Sequence, residues 1–81
     1  MFIHVIEARY VSDYKIWLKF DDQVEGIVDL ENELWGEVFE PLKDKELFKQ
    51  FHLEEELRTI TWPTGADLAP EFLHEKVLQA K

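Results

Sequence analysis

The sequence predicts an α+β domain of two layers, a four- to five-stranded, mainly antiparallel sheet with two to three helices on one face. Three observations carry this expectation. Residues 15–20 alternate without a break, Ile16, Leu18 and Phe20 on one side and Lys15, Trp17 and Lys19 on the other, which is the period of a half-buried strand. Extended runs flank this stretch on both sides across short turn clusters, and connections that short suit antiparallel hairpins and not parallel crossovers. Helical patterns come only afterwards, so strands and helices are segregated along the chain.

The elements follow in order. Residues 2–11 are rich in β-branched and aromatic side chains and read as the first strand, ended by the turn cluster Ser12-Asp13-Tyr14. After the second strand, Asp21-Asp22-Gln23 reverses the chain, and residues 24–30 return with Val24, Val28 and Leu30 on one side. Residues 32–35 suit one helical turn closed by Gly36. Asp44 is a good helix cap, with Leu47, Phe48 and Phe51 falling on one face behind it. Residues 52–57 are charged and carry no clear period, and residues 58–62 form the fourth main strand. In Trp62-Pro63-Thr64-Gly65, Pro63 presets the φ of the second turn position, and Gly65 supplies the left-handed conformation of a glycine bulge. Residues 66–68 then lie antiparallel to the fourth strand. Pro70 suits the first turn of a helix whose buried side is marked by Leu73, Val77 and Ala80.

Composition narrows the function classes. Eighty-one residues make a single domain over 1–81, and at this size only about 60–65% of the unfolded surface can be buried. The 46% of hydrophobic residues, with six Phe, three Trp and two Tyr, supply a dense small core. Without cysteine there is no disulfide framework and no cysteine-type zinc site, which favours a reducing cytoplasm. No apolar run approaches the ~20 residues of a membrane span, and the N-terminus lacks the pattern of a signal peptide. A net charge of −9, with the nine basic residues scattered, disfavours direct binding to nucleic acid and to anionic membranes.

Candidates for chemistry are few. Asp67 follows a turn and precedes a helix, a place where catalytic carboxylates occur, but it equally suits a helix cap or turn residue; with Trp62, Pro63, Gly65 and Pro70 it reads as a structural motif. His4, His52 and His74 have no ligand spacing, so neither a metal nor another cofactor is expected. Ser12 is the sole serine and sits in a turn, and the three glycines at 26, 36 and 65 form no phosphate loop. Glu54-Glu55-Glu56 reads as a solvated loop. The expectation is therefore no enzyme. Trp17 projects from the strand face opposite Ile16, Leu18 and Phe20, with Ile27 beside it, and this open face is the candidate interaction surface.

The blocks Gly36, Val38-Phe39-Glu40-Pro41-Leu42, Asp44 and Leu47-Phe48, followed by Thr59 through Pro63, Gly65 through Leu68 and Pro70, resemble the bacterial family known as domain of unknown function 2442. The resemblance runs from the first strand to about His74. Members often carry Asn where Thr64 stands, Gly where Arg58 stands and Tyr where His74 stands, departures that bear on turn and surface detail. The resemblance implies a small α+β domain with no catalytic residues to carry over. It also implies a place beside another short gene in a toxin–antitoxin-like arrangement, and in some relatives a following helix-turn-helix domain. The expected function is a non-catalytic protein-interaction or accessory module whose partner is protein, either itself or a neighbouring gene product. The alternatives are a regulator that reaches DNA through a partner, and a minimal enzyme or ligand sensor using Asp67 and His74.

Overall fold

Residues 3–80 are described by the computed structural model; Phe2, placed by the sequence in the first strand, lies outside the described residues. The alternation at 15–20 dictates the layout. Strands β1 (Val5–Ser12), β2 (Lys15–Phe20) and β3 (Glu25–Asp29) form an antiparallel meander in the order β1-β2-β3. Ile16, Leu18 and Phe20 are completely buried, as are Val28 on β3 and Leu30 just after it. The opposite face carries Trp17 aligned with Arg9 on β1 and Ile27 on β3.

The fold is α+β as expected, but its strands form two sheets and not one. Strands β4 (His52–Glu54) and β5 (Thr59–Thr61) make a separate antiparallel hairpin. The reason lies in β1. Its pairing with β2 shifts register between Val5 and Glu7 and again between Tyr10 and Ser12, and such bulges bend a strand and sharpen its twist. The outer edge of β1 therefore offers no straight template, and a hydrogen bond from Val5 N–H to the Arg58 carbonyl (2.9 Å) links it to the second hairpin. That hairpin's first strand occupies the stretch with no clear sequence period, and its second falls within the fourth strand predicted at residues 58–62. Its turn is tied by Glu54, whose carboxylate accepts the N–H groups of Glu56 (2.6 Å) and Leu57 (3.2 Å), so the acidic run is more than a solvated loop.

Between the sheets the chain makes two 3-10 turns, Glu31–Glu33 and Glu40–Lys43, and the single helical turn α1 (Lys45–Phe48). The first of these turns starts one residue before the position the sequence predicts and ends two residues before it. Asp44 caps α1, its carboxylate accepting the Glu46 N–H at 3.0 Å. After β5, the Gly65 N–H donates to the Trp62 carbonyl and the Trp62 N–H to the Ala66 carbonyl, both at 2.9 Å. Gly65 sits at φ +93°, the left-handed region the sequence predicts. Thr61 then pairs with Asp67 in an antiparallel bridge, and the buried Thr59 hydroxyl donates to the Leu68 carbonyl (2.6 Å). Helix α2 (Pro70–Gln79) follows, burying Leu73 and Val77 while Ala80 stays exposed at its end. Its N-cap is Ala69, without a side-chain cap. The capping role considered for Asp67 is therefore absent; Pro70 opens the helix and lacks one of the N–H groups that a cap would satisfy.

One core joins these parts: the inner faces of β2 and β3, Leu42, Phe48, Ile60, Trp62 and the buried side of α2. Phe48 packs edge-on against Tyr14 (5.3 Å between centroids) and tilted against Trp62 (5.8 Å). The Trp62 indole N–H donates to the Phe48 carbonyl at 2.8 Å.

Candidate functional site

The titratable groups come together in structural pairs. The β2–β3 turn is held from both sides, His4 Nδ1 lying 3.0 Å from Asp21 Oδ2 and His74 Nε2 2.7 Å from Asp22 Oδ2. His74 also packs edge-on against Phe20, with 4.9 Å between ring centroids, and His52 Nε2 lies 3.0 Å from the Thr61 hydroxyl. Each histidine thus fastens a turn, strand or helix to its neighbour. Among the described residues no three His, Asp or Glu side chains converge as a metal site would need. The structure does not bring Asp67 and His74 into one cleft: His74 is engaged with Asp22 and Phe20, while Asp67 is exposed and bridged to Thr61.

Two carboxylates are held below their usual range. For Asp22 the largest cause is the Val24 N–H, with His74 adding to it; for Asp13 it is the hydrogen bond and charge of Lys45, whose own pKa Asp13 raises. A depressed carboxylate contributes stability that is whole above the ordinary carboxylate range and is lost as pH falls through the folded-state value. Urea midpoints of the wild type and Asp22→Asn are therefore expected to differ at neutral pH and to converge in strong acid. A gap that persists undiminished below the carboxylate range would contradict this account of Asp22.

The outer face of the three-stranded sheet carries Trp17 and Ile27. Trp17 and Ile27 are direct cross-strand partners, Ile27 being 46% exposed. Trp17 is only half-buried by its neighbours, with the Arg9 guanidinium 5.5 Å from its ring centroid. Around this apolar pair the charges alternate in sign, Glu7 opposite Lys19, Lys19 opposite Glu25 and Lys15 opposite Asp29. Cross-strand pairs of this kind are mutually favourable, so the face is amphipathic and internally neutralised.

A second surface escaped the sequence reading. Trp35, 71% exposed, forms with Phe39, Leu68, Phe72 and Glu33 a cleft of about 240 Å³. Its walls come from the irregular stretch after β3 and from the start of α2, so no strand or helix period marks it. The available signal is Leu34-Trp35-Gly36 set among glutamates, a large aromatic outside any periodic pattern. A further cleft, about 340 Å³, opens where β1 meets the second hairpin and is lined by Val5, Ile6, Leu53 and Arg58 among others.

Among the described residues, no helix is long and apolar enough to cross a membrane. Compared with known proteins, residues 5–78 match the family model described as protein of unknown function (DUF2442). No curated protein and no solved structure matches the chain.

Proposed function

Since the chain belongs to this family of proteins of unknown function, which assigns no chemistry to any residue, we propose that it is a non-catalytic protein-interaction module of the bacterial cytoplasm. The observation that carries the proposal is the set of large apolar side chains left exposed on so small a domain, above all the indole of Trp35 and, on the open sheet face, Ile27 beside the half-buried Trp17. Exposed apolar patches flanked by polar groups favour partner binding, and aromatic side chains are the commonest anchors of interfaces. The net charge of −9 accelerates encounter with a basic partner by electrostatic steering. The family resemblance implies a place beside another short gene, which makes that gene's product the natural candidate, in an antitoxin-like role.

The test is recovery of the chain from its native host at natural abundance, followed by light scattering. The expected result is a complex with one other protein in a fixed ratio, or a defined oligomer of the chain. A bare monomer under conditions that preserve other complexes would end the proposal. The open face is tested in the same measurement: if it forms the contact, Trp17→Ala releases the partner or dissociates the oligomer, whereas an unchanged mass places the contact elsewhere.

A further inference from the structure

Resting on that reading, we infer that the Trp35 cleft is the docking site for a cationic amphipathic segment of a partner protein, one large apolar side chain entering the cleft and flanking Lys or Arg residues meeting its rim. Two features carry this: charge distinguishes this surface from the open sheet face, and size favours a single side chain over a small molecule as its occupant.

The first is charge. Glu33 lines the cleft, and Glu75 lies beside Glu33 and Phe72 in the adjoining depression. Along the chain the lining residues sit among further acids, Glu31, Glu37 and Glu40 around Trp35 and Phe39 and Glu71 next to Phe72, with Lys43 the first basic residue after Glu40. Lys76, beside two of the lining residues, is committed, its ammonium 3.1 Å from Glu33 and 5.7 Å from the Phe72 ring centroid. Among the described residues no Lys or Arg pairs with Glu31, Glu37, Glu40, Glu71 or Glu75. Like charges gathered around an apolar cleft repel one another and a second copy of the same surface, and complementary positive charge on a partner removes that repulsion. The open sheet face has no such need, because its acids and bases already face each other.

The second is size. At about 240 Å³ the cleft is smaller than the pockets of about 300–1,000 Å³ that enclose small-molecule ligands. It has room for one anchoring side chain, and its walls of Trp35, Phe39, Leu68 and Phe72 are apolar. An apolar cleft with a charged rim is how grooves for amphipathic helices are built.

The probe is a synthetic peptide of about 18 residues, past the length at which helices are marginal, with Leu along one helical face and Lys elsewhere. Calorimetry measures its binding to the full chain beside two control peptides, one with Glu replacing Lys and one with Ala replacing Leu. The Leu/Lys peptide is expected to bind, and Trp35→Ala to weaken it by about tenfold or more, as removal of an interface anchor does. Trp17→Ala and Ile27→Ala should bind it as the wild type does. Glu37→Lys combined with Glu71→Lys should weaken the Leu/Lys peptide and strengthen the Leu/Glu one; these positions are exposed, so folding is retained and circular dichroism verifies it.

The inference is overturned if Trp35→Ala binds equally well, if either control peptide matches the Leu/Lys peptide, or if no peptide binds. It is also overturned if the wild type forms a dimer that Trp35→Ala dissolves, since the occupant is then a second copy. Loss of binding on Trp17→Ala alone overturns the cleft but leaves the interaction module standing on its open face. The module itself fails only if the chain is a bare monomer in its native host.

Discussion

Trp62→Ala is expected to lower the unfolding free energy by about 3–5 kcal/mol, the range for truncating a buried aromatic. For a domain of 81 residues the whole stability is of order 4–12 kcal/mol, so this one change removes a large part of it. The reason is that Trp62 does three jobs at once. Its ring, 2% exposed, packs against Phe48 and Phe51, at 5.8 and 6.3 Å between centroids. Its indole N–H satisfies the buried Phe48 carbonyl at the end of α1. Its backbone closes the turn through Gly65 and Ala66. Truncation to Ala leaves the backbone but opens a cavity and strands the carbonyl. Trp62→Phe separates the contributions: it keeps most of the packing and loses the hydrogen bond, and should cost roughly 1–3 kcal/mol, the penalty of a buried polar group left unpaired. Urea unfolding followed by circular dichroism gives both values. An Ala variant within about 1 kcal/mol of wild type would show that Trp62 is not the joint between α1 and β5.

The same residue marks how much of this fold can be read from sequence. The turn at Trp62 to Gly65, the helix starting at Pro70 and the inward set Ile16, Leu18, Phe20, Val28 and Leu30 are all legible, because they depend on local conformational limits and on a period sustained over several residues. Strand β4 is not legible. Three residues are too few to display a period, and Glu54 is a weak strand former; the conformation of the segment is set by pairing with β5. The split into two sheets depends on the bulges of β1, and a bulge has no sequence mark when the extra residues, Ile6 and Val11, are themselves good strand formers. The Trp17–Ile27 pair followed from alternation. The Trp35 cleft did not, because Trp35 and Phe39 meet Leu68 and Phe72 only once α2 has folded back, and no local pattern records that meeting.

Helix α2 carries the second large effect. Leu73→Ala should destabilise the domain by about 2–5 kcal/mol, while Leu78→Ala, the same substitution on the same helix, should stay within about 0.5 kcal/mol. Leu73 is completely buried and Leu78 is 50% exposed, so the pair isolates packing from helix propensity, which the two changes share. The contrast matters because α2 has two polar ties that look strong on distance alone, His74 to Asp22 at 2.7 Å and Lys76 to Glu33 at 3.1 Å. Ion pairs near the surface contribute little, with a median of about 0–1 kcal/mol, so Lys76→Ala should leave the domain folded. If Lys76→Ala proved as damaging as Leu73→Ala, the helix would be held by charge and the packing account would be wrong. The consequence reaches the proposed docking cleft, since Phe72 on α2 forms one of its walls. A helix loosened at Leu73 lets that wall move away from Trp35, so Leu73→Ala should also weaken the Leu/Lys peptide at temperatures where the domain remains folded. Lys76→Ala should instead strengthen it, because freeing Glu33 adds one more unpaired acid to the rim.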